Sequence, residues 1–314
     1  MPTLDEGEWN LSYGSNGIYP GANFTFGTVR SGFFLVDPYE ISTGDTDTGD
    51  TPMPRQDGIR FGQDFKPAAT VTFELAVDTV GAGMTNATRH RENLAALSVM
   101  KQAWDAEAIR RRFAAPAVLR TVQGGRARRF YGRPRKFAPA ASRLTRKGHT
   151  PVVATFACLD DTAYDDVEQT VRVDLVPPPH RGLVGPLTTP LTMTGTSTSR
   201  APGQVTVGGT KPTWPVITIY GPISQPVCEV MGKWKVSLDL SLGENERVII
   251  DPRPWARTVL RNGNASVAGS LYRSSPLLPE LRLPLGTQDF VLRGIDSTGS
   301  AFMTVAWRDA YAYL

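Results

Sequence analysis

Apolar and polar residues alternate along much of this chain with the two-residue period of half-buried strands. Val71, Phe73, Leu75 and Val77 alternate with Thr72, Glu74 and Ala76. Val236, Leu238, Leu240 and Leu242 do the same within "KVSLDLSL". Shorter β-prone runs recur at "AVLRTV", "RARRFYG", "RKFAP", "PVVATFACLD", "PVITIYG", "RVIID", "DFVLRGI" and "FMTVAWRDAY". Asn10 to Phe26 is aromatic and glycine-rich, with further short strands. "SGFFLVDPYEI", Ser31 to Ile41, reads as one strand that Pro38 assigns to a sheet edge. A single segment has the helical period. After the breaker "VGAGM", Asn86 or Thr88 is the expected N-cap. Leu94, Leu97, Met100, Trp104 and Ala108 then form one apolar stripe, and Pro116 stops the helix. Glu92 near its start and Arg110 to Arg112 at its end suit the helix dipole.

Turn residues divide the pattern. "STGDTDTGDTPMPRQDG", Ser42 to Gly58, has no apolar period and predicts a long exposed loop, a length that is uncommon without a function. Asn262-Gly263 is a type I′ hairpin signal. "VRVDLVPPPHRG" reads as the last strand of a first domain running into a stiff polyproline linker at Pro177, Pro178 and Pro179. The expected division is residues 1–178, a linker over 179–186, and residues 187–314. The first domain reads as α+β, a sheet with one long helix; the second reads as a β-sandwich or jelly roll. The fold class is therefore mainly β.

Composition sharpens this. The 30 Gly and 25 Pro of 314 residues have no collagen-like period and exclude a helical bundle, while 40% hydrophobic residues exclude general disorder. No apolar run is long enough for a helix across a bilayer. The acidic start "MPTLDEGEWN" is unlike a secretory signal. Cys158 and Cys228 read as buried free thiols of a reducing compartment.

Net charge is only +4, yet its distribution is uneven. Residues 1–80 hold 12 acids against 4 bases, and residues 108–159 hold 13 bases and no acid. Charges this dense need compensation from the acidic third, from another subunit or from nucleic acid. The bland alternative is that arginines alternate outward from strands. "RARRFYGRPRKF" interleaves arginine with Phe130, Tyr131 and Phe137, as a base-stacking platform does. The same aromatics are what a strand needs for its core, so packing is favoured and no stable nucleic-acid complex is expected.

Other chemistry is thin. "GDTDTGD" supplies Asp45, Asp47 and Asp50 but lacks the EF-hand glycine and terminal glutamate. "GAGMTN" has Asn86 where a dinucleotide fingerprint needs glycine. His90, His149 and His180 lack metal-site spacing, with His90 expected in solvent. No G-x-S-x-G elbow is present. Asp160–Asp161 and Asp165–Asp166 read as turn acids, not as a glycosidase pair. No enzyme and no cofactor is expected.

The ordered series of segments resembles the distal tail proteins (minor tail proteins) of long-tailed, siphovirus-type bacteriophages of actinobacteria. The segments are "FLVDPYEI" and "MPRQDGIRFGQDF", then "VMKQAWDAEAIRRRF" and "RRFYGRPRKFAP". "PVITIYGPISQPVCEV", "LDLSLGENERVIIDPRP" and "AWRDAY" follow in the second half. The resemblance implies a virion protein of the tail tip, made in the host bacterial cytoplasm. It implies a homohexameric ring at the distal end of the tail tube, built from a tube-like N-terminal domain and a galectin-like C-terminal sandwich. Its implied partners are itself, the tail tube protein, the tape measure protein, the tail-tip hub protein and other minor tail or receptor-binding proteins. A host surface glycan is a further candidate, with Trp234 and Trp255 as weak sugar-stacking candidates; core packing is the default for both.

A head-to-tail ring joins unlike patches. Asp45, Asp47, Asp50, Asp57 and Asp64 are therefore expected to meet Arg126, Arg128, Arg129, Arg133 and Arg135 across the ring or tube interface, setting register more than affinity. The rival readings are a carbohydrate-binding host-adsorption protein, a nucleic-acid binder led by residues 108–159, and another tube or baseplate subunit.

Overall fold

The computed structural model describes residues 2–79, 83–175, 203–296 and 298–314. They form two units, one reaching to Val167 and taking in Tyr311–Leu314, the other Glu168–Ala310. The expected polyproline linker, with His180, lies outside the described residues.

The first unit contains β1 Trp9–Tyr13, β2 Ala22–Phe26, β3 Phe33–Leu35, β4 Glu40–Thr43, β5 Thr51–Pro52, β6 Ile59–Arg60 and β7 Ala69–Asp78. The helices α1 Asn86–Asp105 and α2 Glu107–Arg110 follow, then β8 Ala117–Gln123, β9 Arg126–Pro139, β10 His149–Cys158 and β11 Ala163–Asp165. Its main sheet runs β2-β1-β8-β9-β10-β7-β3, with β4 also on β7 and β11 also on β9. Gly27 donates to the Phe33 carbonyl at 2.7 Å, so the two edges meet and the sheet is nearly a closed barrel. As the alternation predicts, Val71, Phe73, Leu75 and Val77 all point into the core, beside Trp9, Phe26, Met100 and Trp104. Pro38 divides the expected edge strand in two: β3 and β4 pair with successive stretches of β7.

The long helix forms where expected but is set differently. Its N-cap is Thr85, whose extended backbone lets the hydroxyl accept from the Thr88 amide at 3.2 Å; Asn86 is already helical. Its first turn carries no acid, and α1 ends at Ala106, left-handed at φ 45°, so Arg110 belongs to the last turn of α2. The buried face is Asn93, Met100, Ala103 and Trp104, while Leu94 is half in solvent. Asn93 replaces Leu94 because three partners await it. Its Nδ2 donates to the Val77 and Gly148 carbonyls at 3.2 and 2.8 Å, and its Oδ1 accepts from Thr150 at 2.7 Å. A fully buried amide is tolerable only when satisfied in this way.

The second unit contains β12 Gln169–Asp174, β13 Gly203–Val207, β14 Val216–Tyr220, β15 Ile223–Val230, β16 Trp234–Ser237 and β17 Ser241–Leu242. β18 Arg247–Asp251, β19 Thr258–Arg261, β20 Ala265–Ser266, β21 Gly286–Ile295 and β22 Phe302–Trp307 complete it. One sheet runs β12-β22-β14-β18-β19-β20; the other runs β13-β21-β15-β16, with β17 on β15. One apolar core takes residues from both, including Ile217, Val248, Cys228 and Phe290, which makes a β-sandwich. The "VRVDL" strand is corrected: β12 pairs with β22 and belongs to this sandwich, not to the first unit. "KVSLDLSL" divides into β16 and β17. Asn262 and Gly263 both have positive φ between β19 and β20, as the hairpin signal requires.

Candidate functional site

Residues 44–66 form an arm rather than a loop. The expected loop over 42–58 is exposed, but it is half of a hairpin. Asp47 and Phe65 exchange amide–carbonyl bonds at 2.9 Å in both directions, β5 pairs with β6, and the Met53 amide closes the tip on the Gly58 carbonyl at 3.1 Å. Asp50 accepts from the Gly62 amide at 2.9 Å, and a Cβ at Gly62 would lie 2.1 Å from the Gly49 carbonyl oxygen. The chain is thus built to hold a narrow two-stranded projection. Among the described residues nothing covers it: Phe61 is 82% exposed and Phe65 60%, and Met53 and Ile59 are also exposed. Asp45, Asp47, Asp50, Asp57 and Asp64 all stand on this arm. Isolated two-stranded hairpins are marginal in water, and bare aromatic side chains on one are the mark of a surface that another chain covers.

The five expected arginines do not act as one patch. Arg128 and Arg129 are buried and spend their charge inside the chain. Arg128 pairs with Asp165 at 3.2 Å and lies over the Tyr311 ring at 3.7 Å. Arg129 binds Asp166 at 2.5 Å through Nη2 and 2.9 Å through Nε, and donates to the Asp166 carbonyl at 3.0 Å. Arg120 clasps the same carboxylate at 2.5–3.1 Å. Asp165 and Asp166 are therefore not idle turn acids; they neutralise the basic strands. Burial pushes the Asp166 carboxyl up, but hydrogen bonds from Arg120 and the charge of Arg129 outweigh it and hold it below its usual range.

Arg133 has a third role. Its guanidinium donates to the carbonyls of Ala115 at 2.9 Å, Arg110 at 3.2 Å and Arg112. Desolvation and the neighbouring Arg135 lower its pKa. The clasp fixes the bend after α2, where Phe113 stands wholly in solvent and Ala114 is left-handed at φ 53°. Beside this bend is a pit of about 270 Å³ lined by Phe113, Pro116, Gly132, Arg135, Cys158 and Leu159. At its floor β9 and β10 touch so closely that a Cβ on Gly132 would lie 2.1 Å from the Ala157 carbonyl oxygen. Arg126 and Arg135 are exposed. Sequence reasoning found the basic stretch but missed the pit, since its walls come from three separated segments.

A larger cleft of about 740 Å³ lies beside α1, lined among others by Tyr13, Phe24, Leu97, Lys101, Asp105 and Phe137. His90 is held by the Thr145 carbonyl at 3.2 Å rather than left to solvent. Both cysteines are buried and free; burial pushes the Cys158 thiol up to about 12 and raises that of Cys228 further. Trp234 is packed in the sandwich, its N–H on the Arg282 carbonyl at 2.9 Å, and Trp255 lies 5.4 Å from the Arg253 guanidinium. Neither stands as an open sugar platform.

No family model matches the chain, and neither does any curated protein. Solved structures do. The Dit protein of phage SPP1, described as a paradigm of the hub adsorption apparatus in phages infecting Gram-positive hosts, aligns over 96% of this chain and 98% of its own, with 14% identity and a TM-score of 0.54. A chain of the phage P2 baseplate in its activated, calcium-containing conformation aligns over 95% and 97%, with 7% identity and a TM-score of 0.51. The fold is Dit-like. At these identities the likeness is one of fold, and it spans both units.

Proposed function

We propose that this chain is a structural protein of a phage tail tip, of the distal tail type carried by siphovirus-type phages of actinobacteria. Six copies close into a ring at the end of the tail tube, through the first unit. The galectin-like second unit offers a docking surface to receptor-binding proteins. The ring meets the tube protein, the tape measure protein and the hub. The protein is made in the host cytoplasm and ends in the virion. It has no catalytic role.

The observation that carries this reading is the arm. A 23-residue projection with bare Phe61 and Phe65 has no core of its own, and a ring neighbour supplies one. The Dit-like fold adds support, because one similar protein is described as part of a phage hub adsorption apparatus and the other belongs to a phage baseplate. The adsorption reading is weaker, since Trp234 is spent on packing.

The test is to replace residues 48–64 by Gly-Gly, which joins Asp47 and Phe65, already brought together by their bridge. The full chain, viewed by electron microscopy alone and with tube protein, is expected to give sixfold collars. The armless variant is expected to stay monomeric with the same melting temperature. Rings that persist without the arm, or a full chain that never assembles, would overturn the proposal.

A further inference from the structure

We infer that the arm of one copy seats its Phe61–Phe65 segment in the pit between Phe113 and Leu159 of the next copy. The inference rests on the ring reading and names the surface that completes it. Charge is the first argument. The root half of the arm, residues 44–50 and 61–66, holds Asp45, Asp47, Asp50 and Asp64 against Lys66 alone. The pit is basic on the side of the bend: Arg133 and Arg135 line it and Arg111 and Arg112 are exposed just before Phe113, and Arg111, Arg112 and Arg135 have no ion-pair partner among the described residues; Asp160 and Asp161 follow its Leu159 wall on the other side. The cleft beside α1 is less basic, with Asp105 and Glu107 among its lining residues against Lys101 alone.

Shape is the second argument. The pit has room for an aromatic side chain, and Phe113 beside it is wholly exposed, so an incoming ring gains an aromatic wall. Arg133 holds that wall rigid before any partner arrives, which lowers the entropic cost of docking. Reach is the third. Arm root and pit open at one end of the sheet: the Ala69 amide donates to the Asp160 carbonyl at 3.3 Å, and Gly132 pairs with Cys158. Rotation about a ring axis keeps equivalent ends level. Phe61 stands five residues out from Lys66 at the arm's root, roughly 17 Å at about 3.3 Å per residue, so its segment reaches a copy packed directly beside this face. Within one copy Phe61 and Phe113 are both open to solvent, so the arm does not fill its own pit.

Disulfide trapping in the full-length chain tests this. Phe61→Cys and Phe113→Cys are combined in one chain and oxidised under conditions that assemble the ring. The native thiols are buried, and each single variant serves as its control. The expected result is a ladder of covalent multimers from the double variant only, reversed by reductant. A second double variant, Phe61→Cys with Val99→Cys beside the α1 cleft, is expected to give none. Rings whose ladder forms through Val99→Cys, or through neither position, overturn this inference and leave the ring reading standing. A cross-link confined within the monomer and absent from the single Phe113→Cys variant, in which only Cys158 of the same pit could pair, overturns it too, by showing that the arm folds back. A chain that never assembles removes both.

Discussion

Replacing Asp166 by alanine isolates the compensation that makes the basic strands foldable. In the native chain one carboxylate accepts from two buried guanidiniums, Arg120 at 2.5–3.1 Å and Arg129 at 2.5 and 2.9 Å. Side-chain exposure is 10% for Arg120 and 7% for Arg129, so neither reaches water freely when the carboxylate is gone. Arg120 keeps the Pro2 carbonyl at 3.2 Å, and Arg129 keeps the carbonyl of residue 166 and the Tyr131 hydroxyl, but the carboxylate that both share is gone. Removing one partner of a buried pair costs about 3–5 kcal/mol, and two like charges left side by side place this case at the upper end. Urea unfolding monitored by tryptophan fluorescence is the assay, with the exposed Arg126→Ala as the control expected within about 0.5 kcal/mol. The lowered carboxyl adds a pH signature. Its contribution is fully present above the unfolded-state value of about 4 and is lost as pH falls through the lower folded value, so acid sensitivity below about pH 4 is blunted in the variant. A loss under about 1 kcal/mol, or an unchanged acid limb, would refute the argument that Asp166 holds these strands together.

Two further outcomes follow from the same interior. Asn93→Ala leaves the Val77 and Gly148 carbonyls and the Thr150 hydroxyl short of a partner at a fully buried site, with an expected loss of about 1–3 kcal/mol in the same unfolding assay; Leu94→Ala, on the exposed flank, is expected to lose under about 1 kcal/mol. At pH 8 neither Cys158, raised to about 12, nor Cys228 is expected to react with a chromogenic disulfide reagent in the native chain, while both titrate once guanidinium unfolds it; prompt native reaction of either would contradict the burial described.

The strands were legible because alternation is local. Val71 to Val77 and the Asn262-Gly263 turn are read from adjacent residues, and each stands where the pattern puts it. Misreadings came where a distant partner decides. Leu94 has the right spacing for the helix stripe, but Asn93 takes the buried place because β7, Gly148 and Thr150 supply its hydrogen bonds. "VRVDL" has the period of a strand, yet no local signal tells that its partner is Phe302–Trp307. The arm reads as a loop because neither of its strands has a core to give it an alternating pattern.

The basic stretch shows best why charge counts along a sequence underdetermine function. Thirteen bases without an acid suggest one patch facing one partner. Folding divides them by burial instead. Arg120, Arg128 and Arg129 meet carboxylates that lie 37–46 residues further along, so the acids that neutralise them fall just outside the acid-free window. Arg133 becomes a clamp on backbone carbonyls, and what is left for an outside partner is divided among smaller exposed sets: Arg111, Arg112 and Arg135 about the pit, Arg126 at the β8–β9 turn, and Arg143, Arg146 and Lys147 between β9 and β10. The acidic arm divides in the same way: Asp50 caps an amide while the rest face solvent. A charge that folding has not already compensated is the one free to choose a neighbour, and on this chain the root of the arm and the bend beside the pit carry such charges of opposite sign next to bare aromatic side chains.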